Sequence, residues 1–310
     1  MRRNSNKGLI VVTEYFTKTK NGKVKIAIFL SGSGSNAEKL LEKQRQEGEN
    51  CAYEISVLLA DRTKNCRILE LGEKYNTPTE VVNIKSFYES YGLKSISLAL
   101  KEGQKVRELW TAELYSKLQK YTVDFAVLAG FIPLTNITEF LPCLNVHPGD
   151  LLVERNGRRL LVGLHETPIE LAIVNGIDNL RSSVIIAEPY SSLDDMDNGA
   201  LLGVSDKMPI DLQGHSVEEL QEVYRKREER RPAGGYKDIL HDIASHNQEL
   251  LKIAGDHIVL PQTVENFAKS FYGKNENNDK LFFKNSDSAE FSEIKTVKYS
   301  KEEPYKLITK

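Results

Sequence analysis

The 310-residue chain reads as an α/β protein built on a doubly wound, mostly parallel sheet. Three observations predict it. From Lys23 onward, apolar stretches of strand length alternate with helical stretches, the order that produces parallel strands with helices on both faces. Glu54–Ala60 is nearly continuous in apolar residues, as a strand buried on both faces requires. Ser31-Gly32-Ser33-Gly34-Ser35-Asn36-Ala37 joins the first strand to the first helix, at the sheet end where ligands of such folds bind.

The elements follow in order. Lys23–Leu30 is a strand, with Val24, Ile26, Ile28 and Leu30 alternating around Ala27 and Phe29. A helix is expected over Ser35–Arg45, a strand over Glu54–Ala60, a helix over Lys64–Tyr75 and a strand over Thr79–Asn83. A long helical stretch covers 93–120, with Gly103 as a candidate break. Strands then fall at Val123–Ala129 and Cys143–His147. Asn156-Gly157 marks a hairpin turn within Arg155–Arg158. Thr167–Asn175 is helical and ends at Gly176. Two further strands are expected at Arg181–Ala187 and Ala200–Val204. Ser216–Arg230 is a charged helix stopped by Pro232-Ala233-Gly234-Gly235. The next helix runs from after Tyr236 to Ile253, and another spans Gln262–Tyr272. The division expected is an arm over 1–22 with one strand at Leu9–Thr13, an α/β domain over 23–272 with a helical insertion at 216–255, and a polar extension over 273–310.

Composition narrows the function classes. Hydrophobic residues make up 40%, charged residues 28%, and the formal net charge is −2. That balance gives no general electrostatic case for nucleic acid or an acidic membrane surface. No stretch approaches the length of a membrane span. The basic start, Met1–Lys7, precedes an apolar piece too short for a signal peptide. Cys51, Cys66 and Cys143 lack metal-ligand spacing and are odd in number, so a reduced, cytoplasmic setting is expected, with no metal.

Two motifs carry chemistry. In the glycine loop, bare backbone lets an anion approach, and free N–H groups at a helix start bind it. Its plain alternative is a tight turn with Ser35 as helix cap. Gly32-x-Gly34-x-x-Ala37 also fits a relaxed dinucleotide fingerprint, with Asp61 as the acidic residue ending the next strand. No Gly-Lys-Ser/Thr follows, so it is not a P-loop. The second motif is Leu144-Asn145-Val146-His147-Pro148. Asn145 and His147 are two apart on a strand and share a face. An imidazole can move a proton and a carboxamide can donate to a developing oxyanion, an arrangement suited to acyl transfer. The plain alternative is a strand-end Asn bonded to backbone and a satisfied buried histidine. The other histidines, His165, His215, His241, His246 and His257, read as structural or solvated. His241 and His246 are five apart, off the spacing for one helical face. The mixed-sign run Arg225–Arg231 reads as a solvated face.

Taken together, Ser31-Gly32-Ser33-Gly34-Ser35-Asn36, Val127-Leu128-Ala129-Gly130-Phe131 and Asn145-Val146-His147-Pro148 resemble the glycinamide ribonucleotide formyltransferase family, within the folate-dependent formyltransferases. Gly163-Leu164-His165, Asp197-Asn198-Gly199, Asp256-His257 and Pro261 are similar to further segments of that family. The resemblance spans about Val24 to Asp211, with a return at Asp256–Phe267. It implies a Rossmann-like formyltransferase fold and transfer of a formyl group from 10-formyltetrahydrofolate, as co-substrate, to the amine of glycinamide ribonucleotide in purine biosynthesis. It implies Asn145, His147 and Asp197 as the catalytic set. It implies Gly32, Ser33, Gly34, Ser35 and Asn36 around the substrate phosphate. It implies Leu128, Gly130, Phe131, Ile132 and Leu134 around the folate, and Asp256 at the ribose or amine. The chain departs from the family pattern in five places, two of them the longer helical region 93–120 and the insertion at 216–255. His147-Pro148 is followed by Gly149-Asp150-Leu151-Leu152 and a hairpin insertion, in place of Ser-Leu-Leu-Pro. Leu180-Arg181-Ser182-Ser183 replaces His-Gly-Thr-Ser, and Pro133 stands where an Arg is common. These departures bear on the acceptor more than on the folate. Rival readings are an amino-sugar nucleotide as acceptor, water as acceptor, a nucleotide-binding protein without turnover, and a nicotinamide dehydrogenase. A homodimer is left open.

Overall fold

The computed structural model describes residues 11–16, 22–190, 197–228, 232, 235–275, 278, 280–303 and 305–309. The chain begins with β1 (Val12–Glu14) and then alternates: β2 (Val24–Leu30), α1 (Ser35–Glu47), β3 (Tyr53–Ala60), α2 (Ile68–Tyr75), β4 (Thr79–Val81), α3 (Ile84–Ser90), α4 (Lys101–Leu118), β5 (Phe125–Leu128) and β6 (Cys143–His147). The hairpin β7 (Glu154–Arg155) and β8 (Arg158–Arg159), α5 (Thr167–Val174), β9 (Asn179–Leu180), β10 (Ser183–Ala187), β11 (Leu201–Val204) and β12 (Met208–Pro209) follow. The rest is α6 (Val217–Arg225), α7 (Ile239–Leu251), α8 (His257–Ala268), β13 (Tyr272–Asn275), β14 (Leu281–Phe283), β15 (Ser292–Ile294), β16 (Thr296–Lys298) and β17 (Lys306–Ile308).

Nine of these strands form one sheet in the order β17-β16-β11-β10-β6-β5-β2-β3-β4. From β4 to β6 every neighbouring pair is parallel. Beyond β6 the sheet is mixed: β10 runs antiparallel to both β6 and β11, and β16 parallel to β11. The double winding shows in β2 itself. Ile26, Ile28 and Leu30 bury on one face with Leu40 of α1 and Val264 of α8, while Ala27 and Phe29 bury on the other with Trp110 and Leu114 of α4. No helix among the described residues is long and apolar enough to cross a membrane.

Several boundaries move. The stretch expected to be helical over 93–120 is helix only from Lys101, and it runs unbroken through Gly103. The chain crosses closely over its first turn, so a Cβ at Gly103 would lie 2.1 Å from the Ser97 carbonyl. Ahead of it lies α3, which the sequence reading did not separate; Asn83 caps it by accepting from the Ser86 N–H. The charged helix ends at Arg225 after a Ser216/Glu219 capping box, and part of its expected end lies outside the described residues. The two helices expected around a gap at 253–262 join through a π turn at Lys252–Asp256, and α8 starts at His257 and contains Pro261. The expected helical end at Tyr272 is instead β13, because Ser270 turns the chain at φ 57°. The first two residues of the strand expected at Leu9–Thr13 lie outside the described residues; β1 covers Val12–Glu14 and pairs antiparallel with β13. The last 38 residues supply β16 and β17 to the main sheet and place Phe283, Ile294, Val297 and Tyr299 in its core.

Candidate active site

β6 ends at the ligand-binding edge of the sheet and carries Asn145 and His147 on one face. Neighbouring backbone fixes their height: Asn145 lies opposite Leu128 of β5 and Ile185 of β10, and His147 opposite Ser183. His147 is only 2% exposed. Its Nδ1 faces Asp197 Oδ2 at 3.4 Å and its Nε2 faces the Leu161 carbonyl at 2.7 Å. Both partners are oxygen acceptors, and a neutral ring can donate to only one of them. Gly149 makes the second contact possible, since a Cβ there would lie 2.7 Å from His147 Nε2 and 2.6 Å from the Leu161 carbonyl. Asp197, at φ 59°, accepts from the Gly163 N–H at 3.1 Å through Oδ2. Arg159 Nη1 donates to its carbonyl. The acidic neighbours Asp194 and Asp195 lie outside the described residues.

Asn145 and Asp197 line one small cleft of about 110 Å³ together with Leu128, Phe131, Ile132 and Leu134. Ile132, Leu134 and Leu164 also border an adjoining limb of about 550 Å³, lined further by Arg62, Gln104 and Glu108. Gly130, at φ 77°, turns the chain so that its carbonyl accepts from the Ser31 N–H at 3.2 Å. Ser31 Oγ in turn accepts from the Ile132 N–H at 2.9 Å. Arg107 donates to the Leu134 carbonyl at 2.7 Å, and Phe131 packs edge-on to Phe29 and parallel to Trp110. These bonds fix the Leu128–Leu134 loop to the end of β2, leaving Ile132 39% exposed at the cleft.

The glycine loop forms a helix entrance without a side-chain cap. Gly34 occupies the cap position at φ 63°, and Ser35, read from sequence as a candidate cap, is the first residue inside α1. Such an end presents unpaired N–H groups and a partial positive charge to an anion. Gly34 leaves no room for a Cβ, which would meet Leu71 at 2.8 Å. Arg67 braces the loop, donating through its backbone to the Gly32 carbonyl and through Nη1 to the Ser33 carbonyl, each at 3.1 Å. Its Nη1 also pairs with Glu38 Oε2 at 2.8 Å, and Lys74 pairs with Glu38 Oε1 at 2.6 Å. The two cations hold the Glu38 carboxyl down at about 2.

Asn36 and Asp256 meet although they lie on α1 and the π turn. Asn36 Nδ2 donates to Asp256 Oδ2 at 2.9 Å, and Ser182 Oγ donates to Asp256 Oδ1 at 2.5 Å. Burial pushes the Asp256 carboxyl above its usual range, and these two donors oppose the shift. The Asn36 amide oxygen is buried without a hydrogen-bond partner. Gly255 allows the turn to pass Ser182, whose Oγ would lie 2.3 Å from a Cβ there.

The structure therefore brings Asn145, Asp197 and the Leu128–Leu134 loop to one cleft, with His147 buried against Asp197. The glycine loop and Asp256 form a neighbouring group joined through Asn36. Sequence reading missed Arg159 and Leu161, which contact the His147–Asp197 pair, and Arg67 and Arg62. Gly163, Ser182 and Gly149 were quoted only within segments compared with the family, without a role at the site. One group of possible metal ligands, Glu47, Cys51 and Glu265, lies within 4.8 Å of mutual contact among the described residues. Lys43 and Lys269 pair with its carboxylates, and burial pushes the Cys51 thiol up.

Comparison with known proteins bears on the family and the fold. Residues 24–231 match the family model described as formyl transferase. A chloroplastic phosphoribosylglycinamide formyltransferase of Arabidopsis thaliana is 30% identical over 151 residues, covering 47% of this chain and 45% of the plant protein. The chain thus spans about half the length of that curated relative. The solved phosphoribosylglycinamide formyltransferase of Coxiella burnetii superposes with a TM-score of 0.54 at 19% identity, over 86% of this chain and 95% of the other. That of Anaplasma phagocytophilum gives 0.51 at 18%, over 86% and 98%. At such identities these two likenesses speak for the fold.

Proposed function

As the chain belongs to the formyl transferase family, we propose that it passes the formyl group of 10-formyltetrahydrofolate to the primary amine of glycinamide ribonucleotide. The observation that carries the reading is the shared cleft: Asn145 and Asp197 border the same small space as Leu128, Phe131, Ile132 and Leu134. The apolar loop receives the flat pterin, and the wider limb receives the rest of the folate. The uncapped start of α1 takes the phosphate of the acceptor. The Asn36–Asp256–Ser182 group lies beside it, with the buried, unpartnered Asn36 amide oxygen as the acceptor for a ribose hydroxyl or an amine N–H.

The residues support a direct transfer. The neutral amine nitrogen attacks the formyl carbon, and the carbonyl oxygen gains the charge. Asn145 donates to that oxyanion. The proton shed by the amine passes to the departing folate nitrogen through the Asp197–His147 pair, of which Asp197 is the member that opens on the cleft. A water on Asp197 completes that relay. The carbon–nitrogen bond to the folate then breaks. Holding both reactants at one strand end supplies much of the rate.

The test follows 10-formyltetrahydrofolate consumption with glycinamide ribonucleotide, with an amino-sugar nucleotide, and with no amine. Consumption only with glycinamide ribonucleotide is expected. Turnover with the amino sugar alone, formate release without amine, or binding without turnover would each replace this reading with the corresponding rival.

A further inference from the structure

The segment that leaves the hairpin touches the His147–Asp197 pair at every second residue. Arg159 donates from Nη1 to the Asp197 carbonyl. The Leu161 carbonyl faces His147 Nε2 at 2.7 Å. The Gly163 N–H donates to Asp197 Oδ2 at 3.1 Å. Between them, the Leu160 N–H turns back to the Val153 carbonyl at 2.9 Å, so the stretch is held on both sides. Leu161 is fully buried in the cluster under α5 and α7, which anchors the middle. The hairpin is closed by Asn156 and Gly157 at φ 53° and 74°, the conformation of a tight two-residue turn. Asp197 itself sits at φ 59°, a region that non-glycine residues seldom occupy without outside support. This hairpin is the insertion by which the chain departs from the family pattern after His147-Pro148.

We propose that Arg159 is a positioning residue for formyl transfer, holding Asp197 in its left-handed conformation so that the carboxylate faces His147 while the Arg159–Gly163 strap fixes the ring from the other side. The proposal rests on the reading of Asp197 and His147 as the reacting pair. Arg159 lines neither the cleft nor its limb. Its loss lets the Asp197 backbone relax and swings the carboxylate off the ring, which lowers the chemical step and leaves binding in place.

Arg159→Met keeps the apolar stem and removes the donors, and Arg159→Lys restores a donor. In Arg159→Met, kcat is expected to fall about ten- to a hundredfold, the scale of a misplaced catalytic group. The KM for each substrate should stay within about twofold, and Arg159→Lys should recover most of the loss. Nitrogen-15 spectra of the His147 ring, assigned by its disappearance in His147→Ala, should shift in Arg159→Met and return in Arg159→Lys. An unchanged kcat in folded Arg159→Met, ring signals that do not move, or a loss that lysine does not recover would overturn the proposal. The spectra need no substrate. If the wild type fails to formylate glycinamide ribonucleotide, the functional reading falls and the spectra alone decide the role of Arg159.

Discussion

β2 and β5 hand the site their own turns, Ser31–Asn36 and the loop after Leu128, whereas the antiparallel side of β6 reaches it through Asp197, Ser182 and the strap Arg159–Gly163, brought from far along the chain. On the parallel side, the proposed binding surface is made by local backbone: an uncapped helix start at Gly34 and a turn at Gly130 with positive φ. On the antiparallel side, the proposed reacting groups are set by contacts such as His147 to Asp197 and His147 to Leu161. In the proposed site the phosphate and pterin surfaces come from short segments, whereas the His147–Asp197 pair and the Asn36–Asp256–Ser182 group come from distant segments that meet. The two sides should therefore fail differently when altered.

The largest effect is expected at β6, where the sides join. His147→Ala and Asn145→Ala should each lower kcat by about a hundredfold or more, the scale for a proton-moving group and an oxyanion donor. Affinity for the phosphate of the acceptor, read by calorimetry, should change little because α1 and its loop are intact. Near-normal kcat in either variant, or a loss of binding matching the loss of rate, would erase the division between the two sides.

Gly149→Ala tests the antiparallel side without removing any functional group. The added carbon would meet the Leu161 carbonyl at 2.6 Å, His147 Nε2 at 2.7 Å and Pro168 Cβ at 3.0 Å, and the carbonyl and proline carbon cannot swing away. A stability loss of about 1–3 kcal/mol, typical of overpacking, should accompany it. The strap should be driven off the ring, with kcat down about tenfold. A variant with ordinary melting temperature and ordinary kcat would mean that the Leu161 contact is incidental.

Legibility from sequence follows the same division. Cys143–His147 was delimited from residue types alone, and the alternation in Val24–Leu30 named both faces of β2, because strand periodicity is local. The glycine loop was legible for the same reason, apart from the cap, which Gly34 takes in place of Ser35. Asn36 and Asp256 were singled out, but not their contact across 220 positions. Val297 and Tyr299 flank Lys298 in an alternating stretch, yet nothing in so short a stretch states that it will pair with β11. Arg159 gave no signal at all: in a row of Arg-Asn-Gly-Arg-Arg it reads as hairpin surface, and only the register of the strap brings it to the Asp197 carbonyl. The helical boundary at 93–100 failed because propensity cannot show that Ser97 crosses over Gly103.

The smallest expected effect lies on the parallel side, at the ion pairs that brace the glycine loop. The Glu38 carboxyl is held at about 2, against 4.5 for an ordinary glutamate, by Arg67 and Lys74. A carboxyl with a depressed folded value stabilises the fold fully above its unfolded value and loses that contribution as pH falls toward the folded one. Glu38→Gln should therefore cost about 1 kcal/mol near neutrality, a modest amount because both cations are partly solvated. The gap between wild type and variant in urea unfolding should hold down to about pH 5 and shrink by more than half by about pH 3. Because Arg67 also holds the Ser33 carbonyl, the same variant should weaken acceptor binding slightly and leave kcat alone. A gap that stays constant to about pH 3 would remove Glu38 from the brace. A fall in kcat without a change in binding would move the brace to the chemical side and undo the separation argued here.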